Sequence, residues 1–186
     1  MAGTNKFRGK YRSLRKQAGF TMMEMLVAVL VMGVGVLGVT GLQLVSLQNN
    51  QAALMRAEAV QFAYDILDRI RVKPGATTTP GEAYDGVALN DDPPNAANCL
   101  DNTCTAAQMR NFDIALWKCS LGSFNGEQIC EDIRGWDALP PEAEQPGLPN
   151  GDGSIVVNTA TNVITVTIQW DGFNKVQQTI AISSQG

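Results

Sequence analysis

Gly19-Phe20-Thr21-Met22-Met23-Glu24 stands between two stretches of opposite character. Before it lies a basic leader with Lys6, Arg8, Lys10, Arg12, Arg15 and Lys16 and no acidic residue. After it runs an apolar segment, and between Glu24 and Arg56 there is no Asp, Glu, Lys or Arg. As a helix, residues 25–47 span roughly 35 Å, enough to cross the hydrocarbon core of a bilayer. Buried helices of soluble proteins seldom run this long uncharged. The leader would hold the N-terminus in the cytoplasm by the positive-inside rule, and the rest of the chain would lie on the periplasmic side. An ionised carboxylate costs on the order of 3 kcal/mol at the centre of a membrane helix and less near its end. Glu24 is therefore a functional-site candidate, with a headgroup-facing Glu as the plainer alternative.

The position of the leader is unlike that of an ordinary secretory signal, where cleavage follows the apolar region. A cut after Gly19 would leave the hydrophobic helix on the mature protein. It would remove six of the 14 basic side chains and none of the 18 acidic ones, shifting the formal net charge from -4 to -10. The remainder is acidic and offers no broad basic surface, so no nucleic-acid partner is expected. The 186 residues suit one domain plus an anchor.

Beyond the apolar segment the helical pattern continues. Ala53, Ala57, Val60, Ala63, Tyr64, Leu67 and Ile70 recur at spacings of three and four and predict one apolar face. Phe62 and Tyr64 read as core packing. Asp65 and Arg69 are placed for an i,i+4 ion pair. Pro74-Gly75 ends the pattern, which predicts one helix from about 20 to 73. Gly33, Gly35, Gly38 and Gly41 lower helix propensity and permit close helix approach, though no two are spaced as GxxxG.

Residues 76–98 read as loop. Met109 to Lys118 suits a short helix or a strand. Pro140, Pro141, Pro146 and Pro149 punctuate a second irregular stretch. Ile155-Val156-Val157 is strand-like and Asn158–Asn162 turn-like. Ile164, Val166, Ile168 and Trp170 alternate with polar residues as in a half-buried strand. Asp171-Gly172 signals a hairpin, with Val176, Gln178, Ile180 and Ile182 on the return. The expected fold class is α+β: a long N-terminal spine helix packed against a small antiparallel sheet at about 154–183. The expected domains are a leader over 1–19 that is removed, a spine helix over 20–73, and a globular domain over 74–186.

Cys99, Cys104, Cys119 and Cys130 all follow the apolar segment, on the side where disulfides persist. Four cysteines allow three connectivities. Short loops close at least entropic cost, which favours Cys99–Cys104 with Cys119–Cys130. Zinc is disfavoured, because the chain has no His and no C-x₂-C spacing. Reduced core thiols are the remaining option. Asn90-Asp91-Asp92 and Asn150-Gly151-Asp152-Gly153-Ser154 concentrate oxygen atoms that suit calcium, but turn chemistry explains both. No resident metal or cofactor is expected. Without His, every His-based triad, base or ligand is excluded, and no pair of carboxylates can be placed face to face, so no enzyme is expected.

The Gly19–Glu24 motif between a basic leader and an apolar helix resembles the prepilin signal of type IV pilins and type II secretion pseudopilins. The resemblance is strongest over residues 15–73. Gly35-Val36-Leu37-Gly38, then residues 43–51, then Ala63-Tyr64-Asp65-Ile66-Leu67-Asp68-Arg69-Ile70-Arg71, are similar to the PilV group of minor pilins. Leu148-Pro149-Asn150-Gly151-Asp152-Gly153 and Gln169-Trp170-Asp171 resemble that group too, whereas residues 74–147 carry no such likeness. The resemblance implies a pilin fold and cleavage between Gly19 and Phe20 by prepilin peptidase, with methylation of the new Phe20 amine. Thr21 and Glu24 would complete the recognised motif, and Glu24 would act in assembly. Implied partners are other minor pilins, the major pilin, a tip adhesin and the inner membrane. The implied role is priming of pilus assembly, with twitching motility and adhesion. A type II secretion pseudopilin is the alternative, and a calcium- or surface-binding anchored module a second one. One departure is that major pilins commonly carry a proline inside the apolar segment, and this chain has none before Pro74.

Overall fold

The computed structural model describes residues 19–72, 82–139 and 147–185. The basic leader up to residue 18, Pro74-Gly75, the start of the first loop, Pro140, Pro141 and Pro146 lie outside these. The chain divides into two units, one ending at Val45 and one beginning at Ser46. Helix α1 runs from Met22 to Val72, close to the predicted span. Among the described residues it is the one helix long and apolar enough to cross a membrane.

In the first unit, every large apolar side chain from Met22 to Val45 is at least 55% exposed. Among the described residues of the unit, nothing covers them. In the second unit α1 buries Ala59, Ala63, Ile66, Leu67 and Ile70. This keeps Ala63, Leu67 and Ile70 of the predicted face, with Val60 partly buried beside them, and corrects the rest. Ala53, Ala57 and Tyr64 are exposed, and the stripe is centred on Ala59-Ala63-Ile66-Ile70 instead. Spacings of four, three and four keep these side chains on one line of the helix. Tyr64 lies off that line. Phe62 does pack against the core, as expected.

The sheet has strands β1 (Asp152–Asn158), β2 (Val163–Asp171) and β3 (Gln177–Gln185), in that order and antiparallel. Val157 pairs with Ile164, Ile155 with Val166, Val166 with Ile182 and Ile168 with Ile180, so apolar residues share one face. That face joins the α1 stripe in a single core with Trp117, Leu121, Leu148 and Trp170. The outer edge of β1 is closed by the chain itself. The Ile155 amide donates to Val87 O at 2.8 Å, and the Val157 amide to Asp85 Oδ1 at 2.7 Å. The β2–β3 connection is longer than an Asp-Gly turn. It passes through a short 3₁₀ helix, Phe173–Lys175, and Asp171 pairs with Gln177 across it.

The segment left open between helix and strand is helix α2, Ala106–Leu121. Thr105 caps it, with reciprocal bonds between the Thr105 and Gln108 side chains and the opposite backbone amides. Gly122, at φ 115°, ends it in a left-handed conformation that favours glycine. A second helix, α3, spans Gln128–Gly135. The α2 and α3 helices enclose a smaller core of Ala115, Cys119, Cys130 and Ile133, beside which Phe112 stacks on Trp136 at 6.4 Å.

Candidate processing and assembly site

Gly19, Phe20 and Thr21 precede the helix, and Met22 begins it. The carbonyl of Thr21 accepts from the Glu24 amide at 3.1 Å and the Met25 amide at 3.3 Å. Its hydroxyl accepts from the Glu24 amide at 3.3 Å. Thr21 therefore sits at the N-cap, and Glu24 lies in the first turn, where a carboxylate faces the positive end of the helix dipole. The family resemblance implied Thr21 only as part of the processing motif. The signal was present, since Thr followed three residues later by Glu is a helix-start signature.

The cap brings Thr21 and Glu24 together, and Gly19 and Phe20 directly precede it. Phe20 is 78% exposed, and the Gly19–Phe20 peptide lies outside the helical hydrogen-bond ladder. A Cβ placed on Gly19 would meet nothing within 4 Å, and its backbone does not require glycine. Any demand for glycine at this position therefore comes from another molecule. A narrow subsite that receives the chain has that character.

The four cysteines form two bridges, Cys99–Cys104 and Cys119–Cys130, distant in role from the helix start. Cys119 and Cys130 are buried in the smaller core, whereas Cys99 and Cys104 are half-exposed. The two oxygen-rich segments converge, but on a side chain. Lys118, fully buried, donates to Ala88 O at 2.9 Å, Asp91 O at 2.8 Å and Asp152 Oδ1 at 3.0 Å. All three ammonium protons are thereby used. Asp152 also accepts from the amides of Asn90 and Gly153. The oxygens considered for calcium thus surround an internal cation. Among the described residues no group of three or more His, Cys, Asp and Glu is placed to hold a metal.

Residues 148–153 are a strip laid on α2. The Leu148 amide donates to Leu121 O at 2.8 Å, and a Cβ on Gly153 would lie 2.4 Å from the Trp117 ring. Only glycine admits that approach. Trp117 in turn donates to Phe62 O at 3.0 Å, tying α2 to α1. A second tie runs through Asp113, which is buried, accepts from Tyr84 Oη at 2.8 Å and lies 3.5 Å from Arg69. Burial raises the Tyr84 phenol above its ordinary range, and its bond to the Asp113 carboxylate pushes the same way.

Comparison with known families adds the last element. The family model of the prokaryotic N-terminal methylation motif matches residues 14–40. The Tt1218-like family, described as type IV pilin Tt1218, matches residues 41–115. No curated protein and no solved structure matches the chain significantly. The two family matches abut. With the apolar helix and small antiparallel sheet, they place the chain among proteins that carry a prepilin-type signal on a spine helix. The two matches together support a type IV pilin with a prepilin-type signal. The second match also corrects the expectation that residues 74–147 carry no family likeness, since it extends into α2 as far as Ala115. A prepilin-type signal implies processing by a peptidase and assembly with other pilins, and family membership suggests a structural role.

Proposed function

We propose that this chain is a PilV-like minor pilin of the type IV pilus. Prepilin peptidase cuts it between Gly19 and Phe20, releases the leader and methylates the Phe20 amine. Before the cut the protein is a single-pass inner-membrane protein with its N-terminus in the cytoplasm and its domain in the periplasm. It then joins other minor pilins in the complex that primes the pilus, at or near the tip, beside the major pilin and a tip adhesin, and so supports twitching and adhesion. It catalyses nothing itself.

One observation carries this reading: an exposed Gly-Phe peptide sits directly before a Thr21-capped apolar helix with Glu24 in its first turn. Cleavage creates a cationic amine on Phe20. Glu24 pairs with that amine in its own chain or a neighbour's, which offsets the cost of the carboxylate in an apolar setting and sets the register of packed helices.

Intact mass and N-terminal sequence of the native membrane protein, with and without prepilin peptidase, test the processing. A chain starting at methylated Phe20, and staying full-length without the peptidase, is expected. An unprocessed chain in both strains would reduce it to an ordinary anchored protein. Glu24→Ala is expected to be inserted and cleaved but scarce in sheared filaments. Deletion separates the pilus from the alternative machinery, because loss of pili and twitching supports a pilin and loss of exoprotein secretion supports a type II pseudopilin.

A further inference from the structure

We propose that the β2–β3 hairpin tip, Phe173–Val176, is a second membrane contact, seated in the periplasmic headgroup layer of the bilayer that the apolar helix crosses. The inference rests on the membrane-anchored reading above.

Place is the first argument. Phe173 and Lys175 line a groove together with Gln48 and Gln51 of α1. Gln48 follows Leu47, where the apolar segment ends. At 1.5 Å of rise per residue, residues 48–52 stand about 2–8 Å beyond that end. The headgroup layer on each side of a bilayer is roughly 5–8 Å deep. A side chain beside Gln48 and Gln51 is therefore at headgroup depth.

Chemistry is the second. Turn tips are dominated by Gly, Pro, Asn, Asp and Ser. This one exposes 55% of Phe173 and 57% of Val176, with the Lys175 cation between them. Asp171, four residues before Lys175, is half-buried and accepts from Asn150 Nδ2 at 2.7 Å. Lys175 is exposed and can meet an anionic lipid phosphate. An aromatic side chain beside a lysine is the usual composition of a membrane-interface anchor.

Conformation is the third. Asn174 and Lys175 hold φ of 60° and 58°, and the Gly172 amide donates to Val176 O at 2.8 Å. The left-handed region is unfavourable for lysine, and such strain concentrates at sites of contact. The strands are closed by an enlarged tip carrying apolar groups, where a two-residue Asp-Gly turn would have presented none.

The test uses the full chain reconstituted in vesicles of phosphatidylethanolamine and phosphatidylglycerol. Spin labels go on Val176→Cys, on Val39→Cys within the apolar segment, and on Val156→Cys. Val156 pairs with Thr165, about 20 Å along β2 from the tip. Collision with oxygen reports lipid, and collision with a nickel chelate reports water. Val39 is expected in lipid, Val156 in water, and Val176 between them. Phe173→Ser or Lys175→Glu is expected to raise the nickel collision rate at Val176 several-fold, toward that at Val156. A Val176 label as wet as Val156 while Val39 is in lipid would overturn the contact and leave the anchored reading standing. A Val176 label shielded from both agents would also overturn it, pointing to a protein neighbour. A wet Val39 label would overturn the anchored reading itself, and this proposal with it.

Discussion

From Met22 to Val45, α1 leaves every large apolar side chain exposed, whereas from Ala59 to Ile70 the same helix buries five residues against one sheet face. The first stretch is apolar all round and carries no instruction about which side to cover. The second has a stripe and a matching partner in the same chain. A uniformly apolar helix therefore depends on surroundings supplied from outside, such as lipid or the helices of other subunits. The domain carries its own partners even for charges, as Lys118 and Asp113 show.

The sharpest way to break this contrast is to remove an internal partner. Lys118→Met leaves Asp152 buried and two carbonyls unpaired, and should cost about 3–5 kcal/mol in denaturant unfolding of the domain. A loss under 1 kcal/mol would mean that the cluster is not self-contained. Next, Ile66→Ala should cost roughly 2–5 kcal/mol by cavity formation, while Leu30→Ala on the same helix leaves domain unfolding unchanged. Equal effects would erase the distinction between the two stretches.

The bridges sharpen the comparison within the domain. Replacing Cys119 and Cys130 by Ala should cost about 3 kcal/mol, and replacing Cys99 and Cys104 about 2, because the second pair closes a shorter loop. Thermal unfolding of the two double variants checks the order. Tyr84→Phe should cost about 2 kcal/mol near neutral pH through loss of its bond to the Asp113 carboxylate. The folded phenol is raised above its ordinary 10.0, so the unfolded chain ionises first. That stabilisation is complete below pH 10 and is lost as pH climbs toward the raised folded value, so the gap between wild type and Tyr84→Phe should narrow in alkaline denaturation curves. The smallest effect is at the surface. Asp65→Ala breaks the 3.0 Å pair with Arg69 and should cost only about 0.3–0.5 kcal/mol.

Much of this was legible in the residues. The motif, the length of α1, the hairpin strands and the Asp65–Arg69 pair follow from charge pattern and periodicity. The buried stripe was partly misplaced because Ala53, Ala57 and Tyr64 fit a three-four spacing with Ala63, Leu67 and Ile70 as well as Ala59 and Ile66 do, and only the sheet decides between them. Helix α2 stayed ambiguous because Trp117 and Lys118 are both buried, which no simple apolar pattern announces. The convergence of the oxygen-rich segments on Lys118 was not legible, because sequence separates Lys118 from Asp152 by 34 positions. Their meeting is a product of the fold.

That meeting has a consequence for the surface role proposed for this protein. Ion concentrations outside a cell are not under its control, and a bound calcium can be diluted or chelated away. Lys118 delivers the positive charge on a covalent tether. The loops it gathers are held together without a dissolved ion.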